Sequence, residues 1–224
     1  MPKLVDLLNK NKMTLIAALP KNDPELAEAA IKGGADALQL HINFHDIGDF
    51  KTEKENHSRI LELSSLPVGI FPGAKTHASQ KEMEEMIKMG FDFFSIGIEH
   101  IPSFMSQIKG VSKILALGSR FTIDVVLGVG KYGADAVDAA IIPSAGYGKD
   151  LVVGDLQNYI SIVISAGIPV IIPTQRSIRP SEVAIIADTG AKGLMLTPVV
   201  TGTTSKHIHE RVQEFRMAVD DLGA

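Results

Sequence analysis

Ala30-Ile31-Lys32-Gly33-Gly34-Ala35-Asp36-Ala37-Leu38-Gln39-Leu40-His41-Ile42-Asn43 carries the end of one element and the whole of the next. Upstream, Asp23-Pro24-Glu25 opens a helix with Asp as the cap and Pro in the first turn, and the Gly33-Gly34 pair closes it. The run from Ala35 to Ile42 then reads as a buried strand. Side chains alternate along a strand, so Leu38, Leu40 and Ile42 share one face while Gln39, His41 and Asn43 share the other. A strand with an apolar back and a polar exit, entered from a helix through Gly-Gly, is half of a βαβ unit.

The same entry recurs at Met89-Gly90-Phe91-Asp92, Tyr132-Gly133-Ala134-Asp135 and Thr189-Gly190-Ala191-Lys192. Short apolar runs span Met13 to Leu19, Ala35 to Ile42, Val68 to Phe71, Asp92 to Ile98, Lys113 to Leu117, Ala136 to Ile142, Pro169 to Pro173 and Gly193 to Thr197. Amphipathic stretches separate these eight strands; one opens at Arg179-Pro180-Ser181-Glu182 and closes at Gly190. Strands buried on both faces belong to parallel sheets covered by helices, and eight consecutive units close into a barrel. The predicted fold is a single (β/α)₈ barrel domain over residues 1–224, with a short amphipathic helix over Met1 to Lys10. A doubly wound open sheet is the competing architecture, but no Gly-x-Gly-x-x-Gly turn follows the first strand.

The chain has 224 residues, enough for one such barrel and cramped for two domains. A net charge of −4 with no Lys/Arg block removes the electrostatic footprint of a nucleic-acid binder. With no Cys, there is no disulfide, thiolate metal site or thiol nucleophile, and a cytoplasmic location is compatible. No apolar run approaches the roughly 20 residues that span a bilayer, so no membrane partner is expected. No grouping of side chains suggests a metal site.

In barrels of this class the chemistry sits at the carboxyl ends of the strands. Alternation in the fourth strand points Ser95, Gly97 and Glu99 inward, so Glu99 converges with His41 as an acid/base pair. Asp138 is the inward carboxylate of the sixth strand and the third catalytic candidate. Gln39, Asn43, Gln175 and Tyr147 are candidates for substrate contact. Ser144 to Asp150, with Gly146 and Gly148, reads as a mobile lid. After the eighth strand, Thr201-Gly202-Thr203-Thr204 precedes a helix, an arrangement that suits a phosphate through backbone amides, hydroxyls and the helix N-terminus. Arg176, leaving the seventh strand, adds a charged contact to the same group.

At these residues the chain resembles the phosphate-binding TIM barrels, and among them the N-acetylmannosamine-6-phosphate 2-epimerase group. The likeness rests on Leu15-Ile16-Ala17-Ala18-Leu19-Pro20, on Ala30-Ile31-Lys32-Gly33-Gly34-Ala35 and on Leu66-Pro67-Val68-Gly69-Ile70. It implies an isomerase or epimerase acting on a sugar phosphate, in a homo-oligomer, although no helix face is apolar enough to mark the interface. That group carries a catalytic Lys leaving strand three and a Glu leaving strand seven. Here those exits read Ile70-Phe71-Pro72-Gly73, with Lys75 displaced into the loop, and Ile172-Pro173-Thr174-Gln175.

Ala35 to Asn43 is also similar to a strand of the flavin-dependent type 2 isopentenyl diphosphate isomerases, which implies FMN with its phosphate on the same Gly/Thr loop. No cofactor is assigned by the residues themselves. Three readings follow: an isomerase or lyase on a small phosphorylated metabolite, a non-catalytic barrel that binds such a metabolite, and an FMN-binding barrel.

Overall fold

The computed structural model describes residues 3–223. Eight parallel strands pair in chain order and β8 returns to β1, closing the barrel. They are β1 (Thr14–Ala18), β2 (Ala37–His41), β3 (Val68–Phe71), β4 (Phe93–Gly97), β5 (Ser112–Ala116), β6 (Ala136–Asp138), β7 (Val170–Pro173) and β8 (Gly193–Leu196). The helices are α1 (Lys3–Lys10), α2 (Pro24–Lys32), α3 (Phe50–Leu63), α4 (Gln80–Met89), α5 (Ser103–Gln107), α6 (Ile123–Gly128), α7 (Val153–Ala166), α8 (Val183–Asp188), α9 (Pro198–Thr201) and α10 (Ser205–Asp220). The single (β/α)₈ barrel with an N-terminal helix is therefore what the chain forms. Met1 and Pro2 of the expected first helix lie outside the described residues.

The strand entries explain their own repetition. The carboxylate of Asp36 accepts the Leu15 N–H at 2.7 Å, and that of Asp135 accepts the Lys113 N–H at 2.8 Å, so each acid ties its strand to the one before it. Asp92 accepts the N–H groups of Lys3 and Leu4, at 2.8 and 2.9 Å, and so satisfies the first donors of α1. The glycines before Asp36 have separate tasks. A Cβ on Gly33 would stand 2.8 Å from Val212 Cβ of α10, and Gly34 adopts φ +96°.

Two apolar layers result. Leu38, Leu40, Phe94, Ile96 and their counterparts face outward under the helices, as alternation requires. Inside the barrel, Ile16, Phe93, Ile114, Ile171 and Met195 pack with Leu4 and Leu8 of α1, which closes the amino-terminal end. Phe93 fills the lumen so fully that a Cβ on Gly69 would fall 2.1 Å from its ring. The carboxyl end has no such plug.

The strand bounds differ from the sequence reading most at β6, which stops at Asp138 rather than running to Ile142. The Ile142 N–H leaves the ladder to donate to the Gln175 side chain at 3.0 Å. The strand exits form the site.

Candidate active site

A cavity of about 1120 Å³ opens at the carboxyl ends of the strands. Its floor is small and apolar at Ala18 and Ala116, and polar at Gln39 and His41 of β2, Ser95 of β4 and Asp138 of β6. Gln39, His41 and Asp138 are each more than nine-tenths buried. Gln39 Oε1, His41 Nδ1 and Asp138 Oδ1 nonetheless have no hydrogen-bond partner among the described residues. Buried polar atoms are normally paired, so three orphans lining one cavity mark it as a place where a ligand completes the bonding.

Burial raises the Asp138 carboxyl from 3.8 to about 7, because no cation or donor offsets the loss of water around its charged form. Burial acts on His41 in the opposite sense and lowers it to about 4, with the Leu19 carbonyl only partly opposing. Near neutral pH the floor thus pairs a carboxyl poised between its two forms with an uncharged imidazole.

The loop after β2 holds His41 in place. Asn22, in the loop after β1, donates to the His41 carbonyl at 2.7 Å and accepts its N–H at 3.1 Å. The same amide donates to Glu53 at 2.9 Å, and Glu53 accepts the Gly48 N–H at 3.2 Å. Between these anchors, Asn43 and His45 take φ of 52° and 49°, a region costly for side chains and tolerated best by residues such as Asn and His. That turn lays Phe44 on the His41 ring, centroids 5.3 Å apart, with Phe71 at 5.9 Å on His41. Asn22, Phe44 and Phe71 were not among the sequence candidates. Their signal was position alone, each being within a few residues of a strand exit.

Of the residues singled out in sequence, Gln39, His41, Asp138, Gln175 and Tyr147 line this cavity. Gln175 is internally bonded: its Oε1 accepts the Ile142 N–H, and its Nε2 donates to the Tyr147 hydroxyl at 2.8 Å. The Gly148 N–H donates to the Gln175 carbonyl and the Ser177 N–H to the Lys149 carbonyl, both at 2.9 Å. The Ser144 to Asp150 segment, expected as a mobile lid, is thereby stitched to the exit of β7.

Other candidates fall outside the cavity wall. Glu99 is exposed on a tight turn beyond β4, where His100 and Ile101 both donate to the Gly97 carbonyl, so the expected convergence with His41 is not formed. Asn43 lies past the end of β2 and turns into its own loop, its N–H donating to the Gly48 carbonyl at 2.8 Å. Both sit where alternation has ceased to apply. Arg176 is consumed by Asp155, through bonds of 2.8 and 3.1 Å, and by the Gly146 carbonyl.

The Thr201 to Thr204 turn is likewise turned inward or aside. The Thr201 hydroxyl donates to the Thr197 carbonyl, and the Gly202 N–H to the Pro198 carbonyl. Thr204 caps α10 by accepting the His207 N–H, and Thr203 is exposed. This turn reaches the cavity rim indirectly, where the Ser205 hydroxyl donates to Glu25 at 2.7 Å. The cations that do line the cavity are Lys21 and Arg59, neither of which has a carboxylate at ion-pair distance among the described residues.

FMN was expected to use the Thr201 to Thr204 turn for its phosphate. The Gly202 N–H and the Thr201 hydroxyl are already bonded within the chain, and residues 201–204 do not line the cavity. Among the described residues, no group of three or more His, Asp or Glu side chains is placed to hold a metal ion, and no helix is long and apolar enough to cross a membrane.

The chain matches no protein-family model and no curated protein sequence. Its architecture is similar to that of thiamine phosphate pyrophosphorylase from Pyrococcus furiosus, with TM-score 0.72 and 18% identity over 96% of this chain and 98% of that one. It is also similar to N-acetylmannosamine-6-phosphate 2-epimerase from Clostridium perfringens, with TM-score 0.65 and 18% identity over 98% and 96%. Phosphoribosyl anthranilate isomerase from Thermus thermophilus aligns with TM-score 0.65 and 16% identity over 94% and 100%. At these identities the likeness is one of fold: the chain shares the (β/α)₈ barrel of enzymes whose names carry phosphorylated compounds.

Proposed function

We propose that this barrel is an enzyme that moves a proton on a small phosphorylated metabolite, in an isomerisation, epimerisation or lyase reaction. One observation carries the reading. Asp138 is a buried carboxyl with an unpartnered oxygen in the floor of a large cavity, and it titrates near neutrality. That is the tuning a general base needs, since it must accept a proton at the working pH and return it.

In this reading Asp138 takes a proton from a carbon beside a carbonyl and delivers it back, to the same or a neighbouring atom. His41 works as a neutral imidazole: its other nitrogen donates to the Leu19 carbonyl, so Nδ1 accepts a hydrogen bond from a substrate hydroxyl and orients it. Gln39 and Ser95 hold the remaining polar groups. Phe44 and Phe71 screen one side from water. Lys21 and Arg59, the unpaired cations of the rim, hold the phosphate, and the exposed Thr203 and Thr204 contact it only if the ligand extends beyond the rim. The fold neighbours support the general kind of substrate, being named for phosphorylated compounds.

The test is a thermal-shift screen of phosphorylated metabolites, followed by incubation of every binder in deuterated water. The expected result is deuterium at a carbon beside the carbonyl, lost by a factor of about 10² to 10⁴ in Asp138→Asn while binding persists. Arg59→Gln should weaken binding more than Thr203→Ala. Binding without deuterium uptake for all ligands would leave a non-catalytic metabolite-binding barrel.

A further inference from the structure

We infer that the outer face of α6 and α7 is the surface through which two copies of this chain pair. The first observation is composition. From Val153 to Ala166, α7 contains no Lys, Arg or Glu, and its single acid, Asp155, is turned inward and held by Arg176. The whole chain is 21% charged, and surface helices such as α3, α4 and α10 carry charges on every turn. A solvent-facing helix without a charge is unusual for a free surface.

The second observation is exposure. Val153 and Ile164 of α7 are 70% and 78% exposed, and Ile160 lies between them on the same face, at the i+7 and i+11 spacing from Val153 that aligns side chains on a helix. Beside them α6, packed against α7, exposes Ile123, Val125 and Leu127, and Tyr132 follows it at 68% exposed. Together with Val152, these residues expose an apolar area on the order of the ~800 Å² that each partner of a standard interface buries. Single exposed apolar residues are ordinary, but this many large ones gathered on two neighbouring helices mark an interaction site.

A second copy of the chain is the occupant that fits. The α7 side of the patch has no exposed charge to select a partner of opposite sign, and the apolar area is on the order of what a two-fold dimer requires of each subunit. The exposed charges on the α6 side, Asp124 at the start of α6 and Lys131 just after its end, are of opposite sign. An antiparallel two-fold pairing reverses the direction of α6 between subunits and brings each Asp124 end toward the other subunit's Lys131 end. The patch lies on the flank of the barrel, and pairing there leaves the cavity mouth open.

Sedimentation equilibrium of the full chain across a concentration series tests this. The parent should sediment at twice the chain mass, and Ile164→Lys with Leu127→Lys should weaken association by about 100-fold or more, as expected for central interface residues. Both positions are exposed, so the melting transition of the variants should stay close to the parent's. Met217→Lys, at an exposed apolar position on α10, should remain dimeric. A parent that sediments as a monomer at high micromolar concentration overturns the inference, as does a dimer that survives both substitutions on α6 and α7. A parent that is monomeric alone but captures an apolar partner of different sequence on this face also overturns it.

Discussion

The two ends of this barrel are built from the same eight strands and treat polar atoms in opposite ways. At the amino-terminal end, Leu4 and Leu8 of α1 press against Phe93, Ile16 and Ile171, and Asp92 satisfies the N–H groups that start the plugging helix. Among the described residues, the Ser112 hydroxyl is the one lumen-facing polar side chain there that lacks a partner. At the carboxyl end, Gln39, His41 and Asp138 are buried around a cavity and all three keep an atom unpaired. One end is finished by the chain itself. The other is finished only by something that enters it, and that asymmetry separates stability from function within a single sheet.

Breaking the closed end should have the largest effect on folding. Phe93→Ala removes the side chain that fills the lumen and should cost about 3–5 kcal/mol in chemical denaturation, because the surrounding barrel cannot collapse into the space. Ligand binding at the mouth, measured on the folded fraction, should change little. A cost below about 1 kcal/mol would mean that the plug and lumen repack freely, and the contrast between the ends would lose its basis.

A smaller effect sharpens the description of the open end. Tyr147→Phe removes the hydroxyl that accepts from Gln175 and should cost about 1 kcal/mol, the usual net worth of one such bond. It should also raise amide exchange at Gly148, whose N–H bonds the Gln175 carbonyl. Rapid exchange at Gly148 in the parent would restore the mobile lid that the sequence suggested.

The sequence made the barrel legible because its signals are local. Gly-Ala-Asp entries, apolar runs and capped helices each declare themselves within a dozen residues, and alternation correctly turns Gln39, His41 and Asp138 into the lumen. Alternation fails one or two residues past a strand end, which is why Glu99 and Asn43 were misplaced. Arg176 shows the other limit. Its partner Asp155 stands 21 positions away on α7, and nothing local reveals that a promising cation is already spent. The apolar face of α7 was missed: no helix face reads as apolar enough in the sequence to mark an interface, because exposure depends on which neighbours cover it.

The claim that the open end keeps an unpartnered carboxyl is tested most directly by comparing the parent with Asp138→Asn across pH. A carboxyl raised from 3.8 to about 7 on folding contributes stability that is fully present below about pH 4. That contribution is lost as pH rises through about 7, because the unfolded chain ionises first. His41 and His57, both lowered to about 4 by burial, act oppositely: their contribution is full above about 6.5 and is lost as pH falls toward 4. Those histidines are common to both proteins and cancel in the difference. Denaturation from pH 4 to 9 should therefore show Asp138→Asn gaining on the parent from about pH 4, by up to about 4 kcal/mol, and levelling off above about pH 7. A difference that stays flat over the whole range would show an Asp138 that ionises as freely as in the unfolded chain, and the account of the open end would be contradicted.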